Sequence, residues 1–394
     1  MRSTVTTAAM GVLLAAGVTV AQTPAPPTIR DSAGVRIIEH RTIRNAPIAF
    51  TIKAAPTLDL GGLKDDPKEE FDAKSPFLNA AHLSDGRIVA VDYSSAKLLD
   101  ARGKFIRNIG RRGSGPGEFN QLMAACVARG DTIVLIGYGD RRVSVFDSAG
   151  KHVRSFVASG YVGQRGPCFD DGSILVRANA AVNPQSKHPP ALAAAIDMVY
   201  TARRTRDDGS TIADLGLFPA ESFGVVETVG NAYVRGNAVY VGDGTAAEVR
   251  VYDGTGRLTQ IIRWDDPLTP VTDKKLEDRL QGMLPRDCCG ANRDANIERM
   301  RARPHLPTEP VYSLLLVDPQ RRLWLQDAFW APEPRGWTVF DASGNLLGRV
   351  TLPSRPKTRF EIGGFEKDQV ILAWRDEDGA AHISFNQIVP FSRQ

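Results

Sequence analysis

Short runs of alternating apolar and polar residues recur along most of the chain and predict pairs of β-strands. Four pairs share one turn, an Asp followed three positions later by a Gly: LLDARGKFIRNIG from Leu98, VFDSAGKHVRSFV from Val145, VYDGTGRLTQIIR from Val251 and VFDASGNLLGRVT from Val339. The Asp carboxylate accepts backbone N–H groups ahead of it, and the Gly adopts a positive φ that side chains oppose. Each segment is therefore predicted to form a tight antiparallel hairpin.

A second hairpin precedes each of these four, at SDGRIVAVD, RGDTIVLIG, GNAVYVGD and DPQRRLWLQD. The segment DDGSILVRA from Asp170 predicts a fifth, less regular unit, whose closing turn is expected at Asp208 and Gly209. Two successive hairpins form a sheet of four antiparallel strands, which is the repeating unit of a β-propeller.

The last unit, DQVILAWRDEDGAAHISFN, ends after its third strand. Its missing outer strand is predicted near the N-terminus, because LDLGGLKDDPKEEF (Leu58 to Phe71) parallels RNIGRRGSGPGEF in its strand end, Gly, polar loop and Glu-Phe. We therefore predict an all-β fold at residues 49–394. It is a six-bladed β-propeller of four-stranded antiparallel blades, closed by an N-terminal strand so that no large sheet edge stays exposed.

Segments at 178–199, 265–308 and 327–336 interrupt the repeat. The insertion at 265–308, between blades 4 and 5, is predicted to form two short helices, at TDKKLEDRLQGML and ANRDANIERMRAR. Thr272 or Asp273 is the expected N-cap, and Leu276, Leu280 and Met283 have helical spacing. The pair is expected either to pack over the ring or to act as a mobile lid.

The N-terminal residues have the pattern of a secretory signal peptide at 1–21, with Arg2 as the early charge, an apolar stretch from Met10 to Val20, and Thr19 and Ala21 at the cleavage positions. Residues 22–48 are predicted to be an N-terminal extension. We expect an exported protein, periplasmic or extracellular, without a membrane span. Removing Arg2 lowers the formal charge from +4 to +3, too little and too evenly spread to predict nucleic-acid binding.

The cysteines fit an oxidising compartment, although their pairing stays open. Cys126 and Cys168 are far apart in the sequence, whereas Cys288 and Cys289 are adjacent. The first two are expected to form one disulfide if their geometry permits. The adjacent two would form either a vicinal bridge or two free thiols.

The repeat also resembles a known family. GRRGSGPGEF, followed by DRRVSVFDSAGKHVRSF (Asp140 to Phe156), is similar to the repeat of the NHL-type six-bladed β-propellers. The chain as a whole resembles exported bacterial six-bladed propellers that share no assigned activity. The Gly-rich run lacks the Gly-Lys-Ser/Thr ending of a phosphate loop, so it is predicted to turn the chain between blades.

Propeller topology places the interruptions of the repeat on one face, which we call the looped face. The connections between second and third strands and those between blades share that face, and all three interruptions are of these kinds. Loops on a rigid scaffold often carry binding sites. An exposed aromatic ring beside an Arg can stack on a sugar or peptide. The candidate binding residues are Phe329, Trp330, Arg335, Tyr138 and Arg142.

Carboxylates recur where second strands end, at Asp92, Asp243 and Asp327, and His82 lies on the first inner strand. Enzymes of this fold, such as lactonases and amidating lyases, are similar in placing a metal in the central channel, so these four residues are candidate ligands of calcium or zinc. The alternative is structural: an Asp at a strand end closes its own turn, and an inward His is hydrogen-bonded in the core.

Two classes of function follow. The first is a monomeric binding module whose looped face takes a peptide, protein or glycan. The second is a metal-dependent hydrolase or lyase, lactonase-like or esterase-like, with calcium as a candidate cofactor. The fold alone does not decide between them, because propellers include both binding proteins and enzymes.

Overall fold

The computed structural model describes residues 25–75, 77–220, 231–284, 290–328, 336–353 and 360–391. Within these ranges the chain forms six blade sheets around a central channel and one separate two-stranded sheet, and the inner strand of blade 1 contacts the inner strands of blades 2 and 6. The protein is a six-bladed β-propeller, as the sequence predicts.

The strands before the first blade are β1 (Thr28–Ser32), β2 (Val35–His40), β3 (Phe50–Ile52) and β4 (Leu58–Gly61). Blade 1 contains β5 (Asn79–His82), β6 (Ile88–Val91), β7 (Ala96–Leu99) and β8 (Phe105–Asn108). The short strands β9 (Arg111–Arg112) and β10 (Glu118–Phe119) pair with each other. Blade 2 contains β11 (Leu122–Ala128), β12 (Thr132–Gly137), β13 (Arg142–Phe146) and β14 (His152–Val157).

Blade 3 contains β15 (Tyr161–Val162), β16 (Ile174–Val182), helix α1 (Pro190–Ile196), β17 (Met198–Thr205) and β18 (Thr211–Pro219). Blade 4 contains β19 (Asn231–Arg235), β20 (Ala238–Gly242), β21 (Glu248–Asp253) and β22 (Leu258–Trp264), and the helices α2 (Asp273–Met283) and α3 (Arg293–Arg301) follow it. Blade 5 contains β23 (Leu314–Val317), β24 (Leu323–Gln326), β25 (Gly336–Phe340) and β26 (Leu346–Thr351). Blade 6 contains β27 (Glu361–Glu366), β28 (Gln369–Arg375) and β29 (Ala381–Pro390).

The repeated turn forms, as predicted, through hydrogen bonds to its Asp carboxylate and a positive φ at its Gly. Asp147 accepts hydrogen bonds from the N–H groups of Ala149 and Lys151 at 3.0 and 2.8 Å, and Gly150 has φ 74°. The same bonds recur at three further hairpins. At Asp253 they combine with a hydrogen bond from the Thr255 hydroxyl to lower the pKa of the carboxyl to about 2. Local turn chemistry therefore sets the register of each hairpin.

The ring closes as the sequence predicts. Strand β4 pairs antiparallel with β29, with Leu60 opposite Ile383 and Gly61 opposite His382. Strand β3 pairs with the other end of β29, so two N-terminal strands cover the outer edge of blade 6. The last blade thus acquires the outer strand that its own sequence lacks.

The N-terminal extension contains a hairpin that the sequence pattern does not predict. Strands β1 and β2 pair with each other, and β2 runs parallel to β22 on the outer edge of blade 4. Ile38 is fully buried there, and the Nε2 atom of His40 lies 2.8 Å from the carbonyl of Gly344. Blade 4 therefore has six strands instead of four.

The interruption predicted at 178–199 is wrong in its first part. Strand β16 continues to Val182, and β17 begins at Met198. A register shift between Ala178 and Ala181 marks the point where the extended strand leaves the blade pattern, and Asn179 there has φ 53°. These residues are mostly exposed, so their strand carries no alternation of burial for a sequence pattern to show.

The core lies between neighbouring blades. Its largest cluster joins blades 4, 5 and 6 and includes Trp264, Trp324, Trp337 and Phe340. Trp324 and Trp337 are fully buried in this cluster. A disulfide joins Cys126 on the inner strand of blade 2 to Cys168 in blade 3, the pairing expected from the sequence. Cys288 and Cys289 lie outside the described residues.

The helical insertion packs against a second insertion instead of standing alone. Thr272 caps α2 by accepting the N–H of Lys275, as predicted. Leu280 of α2 and Ile297 of α3 are buried against each other. Ile196 of α1 packs with Leu306, beside Leu276 of α2. Insertions from blades 3 and 4 therefore meet on the looped face.

His382 lies at the point of ring closure between two carboxylates and is expected to make the stability of that closure depend on pH. Burial disfavours its charged form, but hydrogen bonds to Asp59 of β4 and to Asp376 together outweigh burial and raise the pKa of His382. A raised pKa in the folded state stabilises the fold below the unfolded pKa, and that stabilisation is lost as pH rises through the folded value. We expect His382→Gln to lower the melting temperature more at about pH 6 than at about pH 9. An equal loss at both pH values would contradict this linkage.

Candidate functional site

A cleft between blades 4 and 5 opens on the looped face. Its volume is about 290 Å³. Three non-repeating segments meet at it: residues Ile43 and Arg44 of the N-terminal extension, both ends of the helical insertion, and the start of the 327–336 loop at Asp327 and Ala328. The cleft therefore lies where the chain departs most from its repeat.

The walls of the cleft combine an apolar floor with charged sides. Trp264, Tyr312 and Leu325 are buried, and burial raises the pKa of Tyr312. The charged lining residues are Arg44, Asp266, Glu309, Asp327 and Arg349. A site with an apolar floor and a few fixed polar groups is typical of ligand pockets.

The charged groups of the cleft are held by neighbouring residues. Asp327 accepts hydrogen bonds from the N–H of Gly336 and from Arg349. Asp266 accepts from Thr42 and from the N–H of Ile43. Glu309 pairs with Lys275 of α2, which ties the helical insertion to the rim. These bonds fix the directions of the polar groups before any ligand arrives.

The three predicted carboxylate ligands lie at separate second-strand ends. Asp92 is 1% exposed and accepts hydrogen bonds from the N–H groups of Asp72, Ser94 and Ser95. Asp243 accepts the N–H and hydroxyl of Thr245 at 2.9 and 2.8 Å. The geometry of these two matches the structural alternative, in which each Asp closes its own turn.

His82 lies away from those carboxylates. It ends the inner strand β5, at the face of tight turns, and its Nδ1 atom is 2.6 Å from a carboxylate oxygen of Glu366. Its ring also packs edge-on against Phe385. Across the described ranges, no three His, Cys, Asp or Glu side chains are grouped as metal ligands. The calcium or zinc site thus stays a prediction.

The predicted binding residues fall into two groups. Tyr138 is 46% exposed on the looped face of blade 2, and its ring centroid lies 6.2 Å from that of Tyr93. Arg142 begins β13, with its Nε atom 3.9 Å from Asp140. Phe329, Trp330 and Arg335 lie outside the described residues, although the start of their loop, at Asp327 and Ala328, lines the cleft.

Two features of the looped face were missed by the sequence interpretation. Ile43 and Arg44 reach the cleft through pairing with residues more than 200 positions away, and no local pattern shows this. Tyr93, in contrast, follows a second strand at the position that Tyr138 occupies in the next blade. Aligning the two repeats places Tyr93 at the position of Tyr138, so the sequence alone could have identified Tyr93 as a residue of the looped face.

The fold and these surfaces define the class of the protein as a six-bladed propeller. Residues 78–156 match the family model described as 6-bladed beta-propeller, which covers blade 1 and most of blade 2. The NHL type of repeat stays a prediction. No curated protein matches the chain in sequence.

Solved structures of other bacterial propellers resemble the chain. A putative exported protein from Bacteroides fragilis is 13% identical with a TM-score of 0.52, over 90% of this chain and 100% of that one. A DUF4221-family member from Bacteroides vulgatus is 9% identical with a TM-score of 0.48, over 86% and 99%. A gluconolactonase from Xanthomonas campestris is 13% identical with a TM-score of 0.38, over 88% and 99%. At 13% identity the likeness to the Bacteroides fragilis protein concerns the fold alone.

Proposed function

We propose that the chain is an exported, monomeric binding module whose looped face takes a peptide, protein or glycan ligand in the cleft between blades 4 and 5. The observation that carries this proposal is the convergence of three non-repeating segments on one cleft of about 290 Å³. Repeat proteins commonly place their binding residues in such insertions on a rigid scaffold.

The polar lining suits a ligand that both donates and accepts hydrogen bonds. Arg44 and Arg349 supply donors, while Asp266, Glu309 and Asp327 supply acceptors. Because both signs of charge are present, the cleft favours neither a polyanion nor a polycation. Peptides and glycans carry donors and acceptors in alternation, and the buried floor at Trp264 and Leu325 would contact their apolar parts.

Export is supported by two observations. The N-terminal residues have the pattern of a signal peptide. The Cys126–Cys168 disulfide belongs to proteins of oxidising compartments such as the periplasm or the cell exterior. Among the helices that the structure describes, none has the length and apolar character needed to cross a membrane.

Filling the cleft tests the proposal. Ala328 lines the cleft, so Ala328→Trp is expected to block it, whereas Ala342→Trp adds the same side chain to an exposed turn on the opposite face of blade 5. We expect immobilised panels of peptides and oligosaccharides to yield ligands that bind wild type and A342W, with binding weakened at least about tenfold in A328W.

Melting temperatures of the two variants control for misfolding. Equal binding by folded A328W and A342W would overturn the cleft as the binding site. If neither the peptide panel nor the oligosaccharide panel yields a ligand of the wild-type protein, the proposed function is overturned.

A further inference from the structure

Three aromatic side chains form a row on the looped face of blades 1 and 2, far along the ring from the cleft. The aromatic row consists of Phe77, Tyr93 and Tyr138. The ring centroids of Phe77 and Tyr93 are 6.4 Å apart, and those of Tyr93 and Tyr138 are 6.2 Å apart. Phe77 and Tyr93 are half-buried, and Tyr138 is 46% exposed. Each of the three rings therefore has some surface exposed to solvent.

The backbone under the row is fixed by hydrogen bonds. The hydroxyl of Ser75 accepts the N–H of Tyr93 at 2.9 Å, and the carbonyl of Tyr93 accepts the N–H of Leu122 at 2.9 Å. The carbonyl of Gln121 accepts the N–H of Tyr138 at 2.8 Å. Because these groups are already paired, the row offers no open strand edge to which an extended peptide would add.

The phenol groups of the row are available to a ligand. Within the described part of the chain, neither the Tyr93 hydroxyl nor the Tyr138 hydroxyl has a hydrogen-bond partner. A tyrosine with an accessible ring and hydroxyl contributes an apolar surface together with a donor and an acceptor.

Phe77, at one end of the row, lines a cavity at the mouth of the central channel. We call it the mouth cavity; it measures about 100 Å³, and its lining includes Phe77, Asn79, Gln164, Arg165, Glu361 and Arg375. Arg375 is held in place by hydrogen bonds to the carbonyls of Ala73 and Ser75, each 2.6 Å long. Amide, guanidinium and carboxylate groups thus line the same cavity as Phe77.

This combination fits the chemistry of sugars. A pyranose has an apolar face of C–H groups, which packs against an aromatic ring, and a rim of hydroxyls that each donate and accept hydrogen bonds. Planar amide, guanidinium and carboxylate groups can engage two neighbouring hydroxyls at once. The lining of the mouth cavity includes Glu361 and two arginines, so it carries both signs of charge and does not select for a phosphate chain.

We infer that the aromatic row and the mouth cavity bind a neutral oligosaccharide, with sugar rings packed on Tyr138 and Tyr93 and one end of the chain in the mouth cavity. This inference goes beyond the proposed function, because the site shares no lining residue with the cleft between blades 4 and 5. It assigns a ligand class to a surface on another part of the looped face.

Calorimetric titration of the full mature protein with cellohexaose, chitohexaose and maltohexaose tests the inference. We expect at least one of them to bind, with Tyr138→Ala weakening its affinity about tenfold, as loss of one stacked ring and its hydroxyl implies. Tyr138→Phe keeps the ring and is expected to retain most of the affinity. Tyr93→Ala is expected to weaken binding as well, and its melting temperature reports whether the fold survives.

The outcomes separate this inference from the proposed function. Binding that A328W weakens but Y138A leaves unchanged would overturn the aromatic row and leave the cleft. Binding that Y138A weakens and A328W leaves unchanged supports the row. Failure of all three sugars to bind wild type, or a peptide bound through Tyr138, would overturn the oligosaccharide inference.

Discussion

Replacing Gly61 by alanine is expected to destabilise the protein by about 3 to 5 kcal/mol, because it disturbs the strand that closes the ring. Gly61 has φ 82°, and a Cβ there would lie 2.3 Å from the carbonyl oxygen of Ala381 and 2.7 Å from the ring of Phe71. Neither neighbour can withdraw easily, since Ala381 begins β29 and Phe71 is buried. Urea denaturation of G61A and wild type measures the loss.

Gly34, in the turn between β1 and β2, supplies the matched control for that variant. It has φ 78°, nearly the same as Gly61, but a Cβ added to Gly34 would have no neighbouring atom within 4 Å. Gly34→Ala therefore carries the backbone penalty without the collision, about 1 kcal/mol. Equal losses of unfolding free energy in G34A and G61A would show that the close approach of β4 to β29 adds nothing to the cost of G61A.

Trp324→Ala is expected to cost about 4 kcal/mol or more, because it removes one of the two buried tryptophans from the core of blade 5. Trp324 is fully buried, and its ring centroid lies 4.9 Å from that of Phe365 in blade 6. Its Nε1 atom donates to Asp318, a carboxylate with no exposed surface. The substitution leaves both a cavity and a buried acceptor with one donor fewer.

Trp324→Phe separates these two effects. Phenylalanine keeps most of the ring volume but donates no hydrogen bond to Asp318, which keeps its charged partner Arg322. We expect W324F to lose about 1 to 2 kcal/mol in the same denaturation assay. A loss as large as that of W324A would mean that the hydrogen bond, and not the packing, dominates at this position.

The hairpins were predictable because their determinants are local. Asp147 and Gly150 lie within one turn, and the alternation beside them continues for only a few residues. The β1–β2 hairpin could not be found in the same way. Its place on blade 4 depends on contact between Ile38 and Ile262, which are far apart in the sequence and apolar like many other strand residues. The residues around Ile38 therefore do not indicate which distant strand covers it.

The candidate sites were predictable to a smaller extent. Topology placed the insertions on one face, and Tyr138 is exposed there as a candidate contact residue. The cleft was not predictable, since Arg44 and Glu309 line the same cleft only after the ring and the helical insertion have formed. The inner-strand position of His82 was predicted correctly. Its partner, Glu366 from the neighbouring blade, was not.

The pairing of β2 with β22 and of β4 with β29 also constrains when the molecule can become complete. A chain that leaves the ribosome or a membrane pore N-terminus first presents β2 and β4 long before their partners exist. Until residues 381–390 arrive, β4 remains an unpaired edge, and early blades form an open arc. The ring can therefore seal only after residues 381–390 have joined the earlier blades, so the finished fold forms later than any single blade.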